Sequence, residues 1–423
     1  MGNKILIRNG KLARTEGISE GDILIENGII ARIGRGMEAP EGARTIDASG
    51  KLVSYGLTDV HVHFREPGYS YKETIRTGSL AAAHGGYTCV CPMPNLNPVP
   101  DSIENLRKEL DIIQADACID VRPYASITVG RKGLEPVDVK GMLGMCAGFS
   151  DDGSGVQNDE VMKTAMRLTA QYGAILAAHC EDNSLLHGGY IHEGSYAAAH
   201  GHRGICSESE WKQIERDLLL AAETGCRYHV CHISTKESVE LIRQAKRRGV
   251  DVTCETGPHY LTLCQDDLQE DGRFKMNPPL RDREDKEALL KGLQDGTIDM
   301  IATDHAPHSE EEKSRGLEKS AMGITGLETA FPVLYTNLVK KGIISLEKLI
   351  ELMCFNPRRR FSTGGSLSEG ESADIAIFDL EGGFTVNPEK FVSKGHSTPF
   401  AGWKVYGGCI TTIYKGNIIY EKS

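Results

Sequence analysis

Residues 59–65 read Asp-Val-His-Val-His-Phe-Arg, so His61 and His63 occupy alternate positions of an apolar run. The surrounding LVSYGLTDVHVHF is rich in Val and Leu and closes on Arg-Glu-Pro-Gly, the composition of a strand that ends at a turn. Side chains at i and i+2 of a strand share a face, so the two imidazoles project together and offer two nitrogen ligands to one metal ion. Taken alone, the pair serves equally well as two surface histidines or two satisfied core histidines.

Comparable residues recur down the chain, most of them at the close of an apolar run and one, Asn277, in the long loop after the seventh. PMPN brings Asn95, FSDDG brings Asp151 and Asp152, and AAHCED brings His179. VCHIS brings His232, KMNPPLR brings Asn277, and ATDHAPH brings Asp304 and His308. A catalytic zinc needs three protein ligands and a water. His61, His63, His179, His232, Asp304 and one of Asp151 and Asp152 exceed that need. Six such ligands suit two metals bridged by a carboxylate and a hydroxide, an arrangement that activates water and polarises a carbonyl. In it Asp304, touching one metal and the hydroxide, is placed to act as general base and proton shuttle.

These residues must be brought together by the elements that carry them. Strands are expected at 52–63, 87–93, 120–128, 144–150, 174–181, 228–233, 251–256 and 298–305. Helical patterns lie between most of them: KETIRTGSLAAAH, SIENLRKELDII, NDEVMKTAMRLTAQY, SESEWKQIERDLLLAAET, KESVELIRQAKRR and REDKEALLKGLQD. Ser207 and Thr235 stand as N-caps of two of these. Eight strands alternating with helices predict a closed (β/α)8 barrel, whose chemistry sits at the C-terminal ends of its strands. An open doubly wound sheet competes, but the glycine-rich phosphate loop expected after its first strand is missing. Both termini are β-rich and punctuated by Gly (KILIRNGKL and GDILIENGIIARIG at one end, ADIAIFDL and WKVYGGCITTIYKGNIIYE at the other), which predicts a small sandwich built from both ends. The expected division is 1–52 and 363–423 for that sandwich and 53–362 for the catalytic barrel.

The bulk composition agrees. A chain of 423 residues exceeds one ordinary domain, and 40% hydrophobic with 25% charged residues is globular. A net charge of −11 argues against nucleic acid or an anionic membrane as partner, and requires a locally basic pocket for any anionic substrate. No apolar run approaches the roughly 18 residues that span a bilayer. MGNKILIRNG lacks a signal-peptide layout, and Leu6 breaks the myristoylation pattern. The twelve cysteines form no C-x-x-C and mostly lie in apolar stretches, which reads as reduced core thiols of a cytoplasmic protein.

Together HVHFREPG, MPN, FSDDG, AHCED, CHIS, KMNPPLR and ATDHAPH resemble the amidohydrolase superfamily and, within it, the bacterial class I dihydroorotases. The likeness runs through the whole chain. It implies the interconversion of N-carbamoyl-L-aspartate and L-dihydroorotate in pyrimidine synthesis, with two Zn2+ per subunit. His61, His63 and Asp304 would hold one zinc and His179 and His232 the other. Asp152 is favoured as the bridge by its interval to His179, with Asp151 one residue away as the alternative. Relatives that bridge with a carboxylated lysine have no counterpart here, since the nearest lysines, Lys140 and Lys163, lack a strand-end context. The resemblance also implies that Arg65, Asn95 and His308 clasp the substrate's free carboxylate, that Asn277 reaches the ring amide, and that Met322 and Gly323 contact substrate. Met322 stands where phenylalanine is commoner in the family. A homodimer and association with aspartate transcarbamoylase belong to the same implication, and no nucleic acid or membrane partner does.

Other residues carry weaker signals. His84 in an alanine-rich helix reads as a surface or packing residue, and His187, His192, His200 and His202 populate a Gly-rich insertion that reads as a loop rather than a second metal site. His259 in GPHY follows strand seven and could line the pocket. The acidic stretch 309–319 is expected as a solvated lid between His308 and Met322. Two rivals remain. An allantoinase or hydantoin amidohydrolase is disfavoured by the aspartate bridge, Arg65 and His308. A catalytically silent scaffold is disfavoured because every expected ligand is present.

Overall fold

The computed structural model describes residues 4–422. Near the N-terminus come β1 (Lys4–Arg14), β2 (Gly17–Glu26), β3 (Ile29–Gly34), β4 (Arg44–Asp47) and β5 (Leu52–Tyr55). The barrel strands follow: β6 (Leu57–Val62), β7 (Tyr87–Pro92), β8 (Asp120–Val121), β9 (Phe149–Ser150) and β10 (Ile175–Ala178). A two-stranded ribbon, β11 (Ile191–His192) and β12 (Gly204–Ile205), precedes β13 (Arg227–Val230), β14 (Val252–Thr256) and β15 (Met300–Ile301). The chain ends in β16 (Ile375–Thr385), β17 (Lys404–Tyr414) and β18 (Asn417–Glu421).

Strands β6, β7 and β8 form one parallel arc and β9, β10, β13, β14 and β15 another. Parallel bridges Ala125↔Phe149 and Val62↔His305 join the arcs at both seams, closing the (β/α)8 barrel expected from the sequence. The second unit is a separate sheet ordered β18-β17-β16-β5-β1-β2-β3, with β4 on β1, so both termini contribute to it. The expected single strand 52–63 is two: Leu52–Tyr55 pairs with β1 and β16 in the terminal sheet, and the barrel resumes beyond Gly56.

Local sequence explains the helices. In Glu208–Thr224, Ile214, Leu218 and Ala221 recur on one face and are buried, and Gly225 ends the helix at φ 69°. In Lys236–Arg247, the Thr235 hydroxyl accepts from Ser238 N–H, and Lys246 and Arg247 close the last turn. Ser207 does not cap: its backbone is already helical at φ −66°, and its side chain makes no capping hydrogen bond. The barrel strands are shorter than expected, 298–305 contracting to Met300–Ile301 with a bridge at His305. Regular pairing stops where site-bearing backbone turns aside: Arg65, His232 and Asp304 take φ values of 60°, 32° and 49°.

Two contacts seat the terminal sheet on the barrel's outer layer: Phe331 stacks on Phe378 at 4.1 Å, and Thr412 donates to the Ala83 carbonyl at 2.7 Å. His84 is a packing residue, its ring 4.0 Å from that of Tyr420. All twelve cysteines are free thiols. Among the described residues, no helix is long and apolar enough to cross a membrane.

Candidate metal centre

The end of β6 supplies His61 and His63. The Nδ1 of His61 donates to Glu255 Oε1 at 2.6 Å, which leaves the Nε2 lone pair pointing inward. The Nδ1 of His63 donates to Asn95 Oδ1 at 2.9 Å, with the same consequence for its Nε2. That Nε2 lies 3.0 Å from Asp304 Oδ1, and His61 Nε2 lies 3.5 Å from the same oxygen. His61, His63 and Asp304 therefore converge as one ligand group, with all ligand atoms within 4.8 Å.

Asp152 joins this group to a second. Its Oδ1 lies 3.3 Å from His61 Nε2, 3.4 Å from His232 Nε2 and 3.7 Å from His179 Nδ1, while Oδ2 lies 3.5 Å from His63 Nε2. His179 Nδ1 and His232 Nε2 are 2.9 Å apart. Asp151 is differently employed: its carboxylate accepts from Ile127 N–H at 2.8 Å, Thr128 N–H at 3.1 Å and the Thr128 hydroxyl. Arg131 grips the Asp152 carbonyl and the Ser154 hydroxyl, and so holds the Asp152 backbone.

The chemistry of this cluster fits a cation. His61 Nε2 and Asp152 Oδ1 are buried, electron-rich and without hydrogen-bond partners among the described residues. Such orphaned atoms are costly unless a positive centre satisfies them. Imidazole nitrogens and carboxylate oxygens in this mixture suit divalent transition metals. Neither lysine near Asp152 in sequence takes part: Lys163 pairs with Glu223 at 2.6 Å and Lys140 is exposed.

The cluster opens into a cavity of about 230 Å³, whose walls include Arg65, Asn95, Asn277, His308, Met322 and Gly323. Arg65 Nε donates to the Pro307 carbonyl at 3.3 Å and its Nη2 lies 3.4 Å from His308 Nε2. His308 Nε2 donates to the Met322 carbonyl at 2.8 Å, while Lys72 Nζ stands 3.2 Å from Nδ1. Burial, then Arg65 and Lys72, push the His308 imidazole down to about 3, so it is neutral at physiological pH. Asn277 Nδ2 donates to Glu181 Oε1 at 2.9 Å, which leaves its carbonyl oxygen for a ligand. Gly323 has φ 137°, and a Cβ there would stand 2.6 Å from the Ala306 carbonyl oxygen, so the wall passes too close for any other residue. Burial opposes the charge on Asp304, but His63 and His61 outweigh it and hold the carboxyl below its usual range.

The cluster thus brings together every ligand expected from the sequence, and the cavity every expected clamp residue. Four partners were missed. Glu255 orients His61 and accepts from His229 Nε2 at 3.0 Å. Asp59 accepts from His61 N–H at 3.0 Å and Thr303 N–H at 3.1 Å, tying β6 to the segment before Asp304. Glu181 serves Asn277, and Arg131 serves Asp152. A charged residue inside an apolar strand, Glu255 in DVTCET, was the available signal. His259 is buried, but it does not line the cavity. In the insertion, His202 bonds Glu270 at 2.8 Å and Tyr190 at 2.7 Å. His192 gathers with Asp282 and Asp285, yet those carboxylates already accept from Gln265, Lys236 N–H and Asp282 N–H.

Comparison with known proteins bears on the family and the fold. A family described as Dihydro-orotase-like matches residues 50–238. A dihydroorotase of Bacillus cytotoxicus is 52% identical over 99% of this chain and 98% of its own length. A dihydroorotase of Bacillus cereus is 51% identical with the same coverage. Among solved structures, the L-hydantoinase (dihydropyrimidinase) of Arthrobacter aurescens superposes with a TM-score of 0.89 at 30% identity, covering 100% of this chain and 97% of that one. The dihydropyrimidinase of Brevibacillus agri shares the fold, with a TM-score of 0.87 at 23% identity, covering 99% of this chain and 95% of that one.

Proposed function

The chain belongs to the dihydroorotase family, and from that premise we propose that it interconverts N-carbamoyl-L-aspartate and L-dihydroorotate, the ring-closing step of pyrimidine synthesis. The observation that carries this reading is the meeting, in one cavity, of the His/Asp cluster with a guanidinium clamp. In an otherwise acidic protein Arg65 lines the same cavity as the cluster, which supports its pairing with a substrate carboxylate. His61, His63 and Asp304 would hold one zinc, and His179 and His232 the other, with Asp152 between them; its carboxylate facing His61 and His63 of the first set and His179 and His232 of the second supports that role. Zinc held there lowers the pKa of water to about 7 and polarises a carbonyl.

The protein's own groups do the rest. In the hydrolytic direction Asp304, ionised in its buried setting, takes the proton of the nucleophile and returns it to the leaving ring nitrogen. In the biosynthetic direction it takes the proton of the carbamoyl nitrogen as that nitrogen bonds to the carboxyl carbon, and gives it to the carboxyl oxygen whose C–O bond breaks, so that the oxygen departs as hydroxide or water. Arg65 offers a planar fork to the free carboxylate beside the Asn95 amide, and the His308 imidazole would complete the clamp by turning its Nε2–H from the Met322 carbonyl to that carboxylate. Asn277 addresses the ring amide, and Met322 and Gly323 form the facing wall.

Assembly and location belong to the same reading: a cytoplasmic homodimer able to associate with aspartate transcarbamoylase, supported by likeness to the class. Sedimentation with and without that enzyme tests it. The activity is tested by assaying the purified protein on dihydroorotate, allantoin and hydantoin, alongside elemental analysis for metal. Turnover of dihydroorotate with two zinc equivalents is expected. Turnover of hydantoin or allantoin without dihydroorotate would overturn the reading.

A further inference from the structure

The segment 309–319 folds as two short helices, Glu310–Lys313 and Gly316–Lys319, against the cavity wall. Its outer edge makes polar contacts: Lys72 with Glu312 at 2.8 Å, and Arg203 with Glu318 at 3.2 Å. Lys313 is different. It is 5% exposed in a stretch otherwise rich in solvated charge. Its Nζ donates to the carbonyls of Gly323 at 2.7 Å, Ala321 at 2.8 Å and Lys275 at 3.1 Å. Burial, then Lys275, draw this amine down to about 7; in its ammonium form it has three N–H groups and here three carbonyl acceptors, so its hydrogen-bonding capacity is filled by backbone alone.

Those carbonyls belong to two separate stretches of the cavity's surroundings. Gly323 N–H also donates to the Lys275 carbonyl at 3.0 Å, so one oxygen gathers both the ammonium and the wall. Two residues beyond Lys275 stands Asn277, and one residue before Gly323 stands Met322, whose carbonyl receives His308 Nε2–H. The Lys313 carbonyl in turn accepts from the Ser320 hydroxyl at 2.9 Å, and Ala321 N–H donates to the Glu312 carbonyl at 2.9 Å. The segment and the wall are therefore cross-tied with the ammonium at the centre.

We propose that Lys313 is the positioning residue that sets the Met322–Gly323 wall, by drawing the 309–319 segment, that wall and the Lys275 loop onto one ammonium group. It acts through the wall and touches no reacting atom. A buried amine whose donors are met only by peptide oxygens is costly to strip of any partner, so the three stretches move together or not at all. The inference rests on the substrate-facing role given above to Met322 and Gly323.

The test is Lys313→Met, which keeps most of the stem and removes the donors, read by amide hydrogen exchange and by steady-state kinetics on the zinc-loaded enzyme. Faster exchange confined to 309–323 and the loop around Lys275, with KM for dihydroorotate raised roughly tenfold and a smaller change in kcat, is expected. Faster exchange there with KM unchanged upholds the anchor and overturns the substrate-facing role of the wall. Unchanged exchange in 309–323, or acceleration spread evenly over the barrel strands, overturns the proposal. Lys313→Gln, which keeps two N–H donors without the charge, is read in the same way should the Met variant fail to fold.

Discussion

The Nδ1 of His61 lies 2.6 Å from Glu255 Oε1, although 194 positions separate the two residues in sequence. This one hydrogen bond decides which ring nitrogen of His61 faces Asp152. Glu255 also accepts from His229 Nε2 and from His232 N–H at 3.3 Å, so it braces the His61 ring and the backbone that carries His232. Glu255→Gln should weaken metal retention by roughly 10–100-fold, the usual cost of losing an outer partner of a ligand. Metal content after dialysis against graded chelator measures this directly, and wild-type retention would show that His61 needs no such brace.

Asp304→Asn should keep metal at one or both sites, since the histidines remain, yet lose turnover by at least about 100-fold as expected when a general base is removed. Elemental analysis and kcat on the same preparation separate the two effects. Near-normal rates would place the base elsewhere.

Arg65→Met should raise KM for dihydroorotate by about 100-fold through loss of a bidentate charged contact. A ring amide without a carboxylate, if slowly turned over, should be hardly affected. Equal losses on both substrates would mean that Arg65 supports the cavity rather than the carboxylate.

Glu328 provides a prediction on stability. Burial raises its carboxyl from 4.5 to about 8, against the hydrogen bonds it accepts from Ser393 and Val392 N–H. The folded chain therefore holds a proton that the unfolded chain releases between about pH 4.5 and 8, so stability falls as pH rises through that window. Glu328→Gln keeps the acceptor and removes the charge. It should stabilise the protein by on the order of 3 kcal/mol at pH 8.5 and by little at pH 5. Thermal melts of both proteins across that range decide it, and parallel curves would show Glu328 ionised without cost.

Much of the site was legible beforehand because the signals are local. Alternation of His61 and His63 along one strand, and motifs closing successive apolar runs, are properties of near neighbours in the chain. The helix spanning Arg283–Asp295 matches its sequence pattern end to end, and Thr235 caps as its spacing implies. Ser207 fails for a reason that spacing does not carry, its backbone being drawn into the helix.

Residue order carries the inventory: which candidate ligands exist, that they close strands, and that the strands number eight. The tertiary structure alone decided the wiring. Asp151 and Asp152 are equivalent as letters, and only the packing of Ile127 and Thr128 against Asp151 leaves Asp152 free to face four histidines. Asp59 and Thr303 meet across 244 positions because the first and last barrel strands close on each other. Side-chain direction is set by backbone period within a strand, whereas the partner across from it depends on inter-strand register, to which distant segments contribute equally.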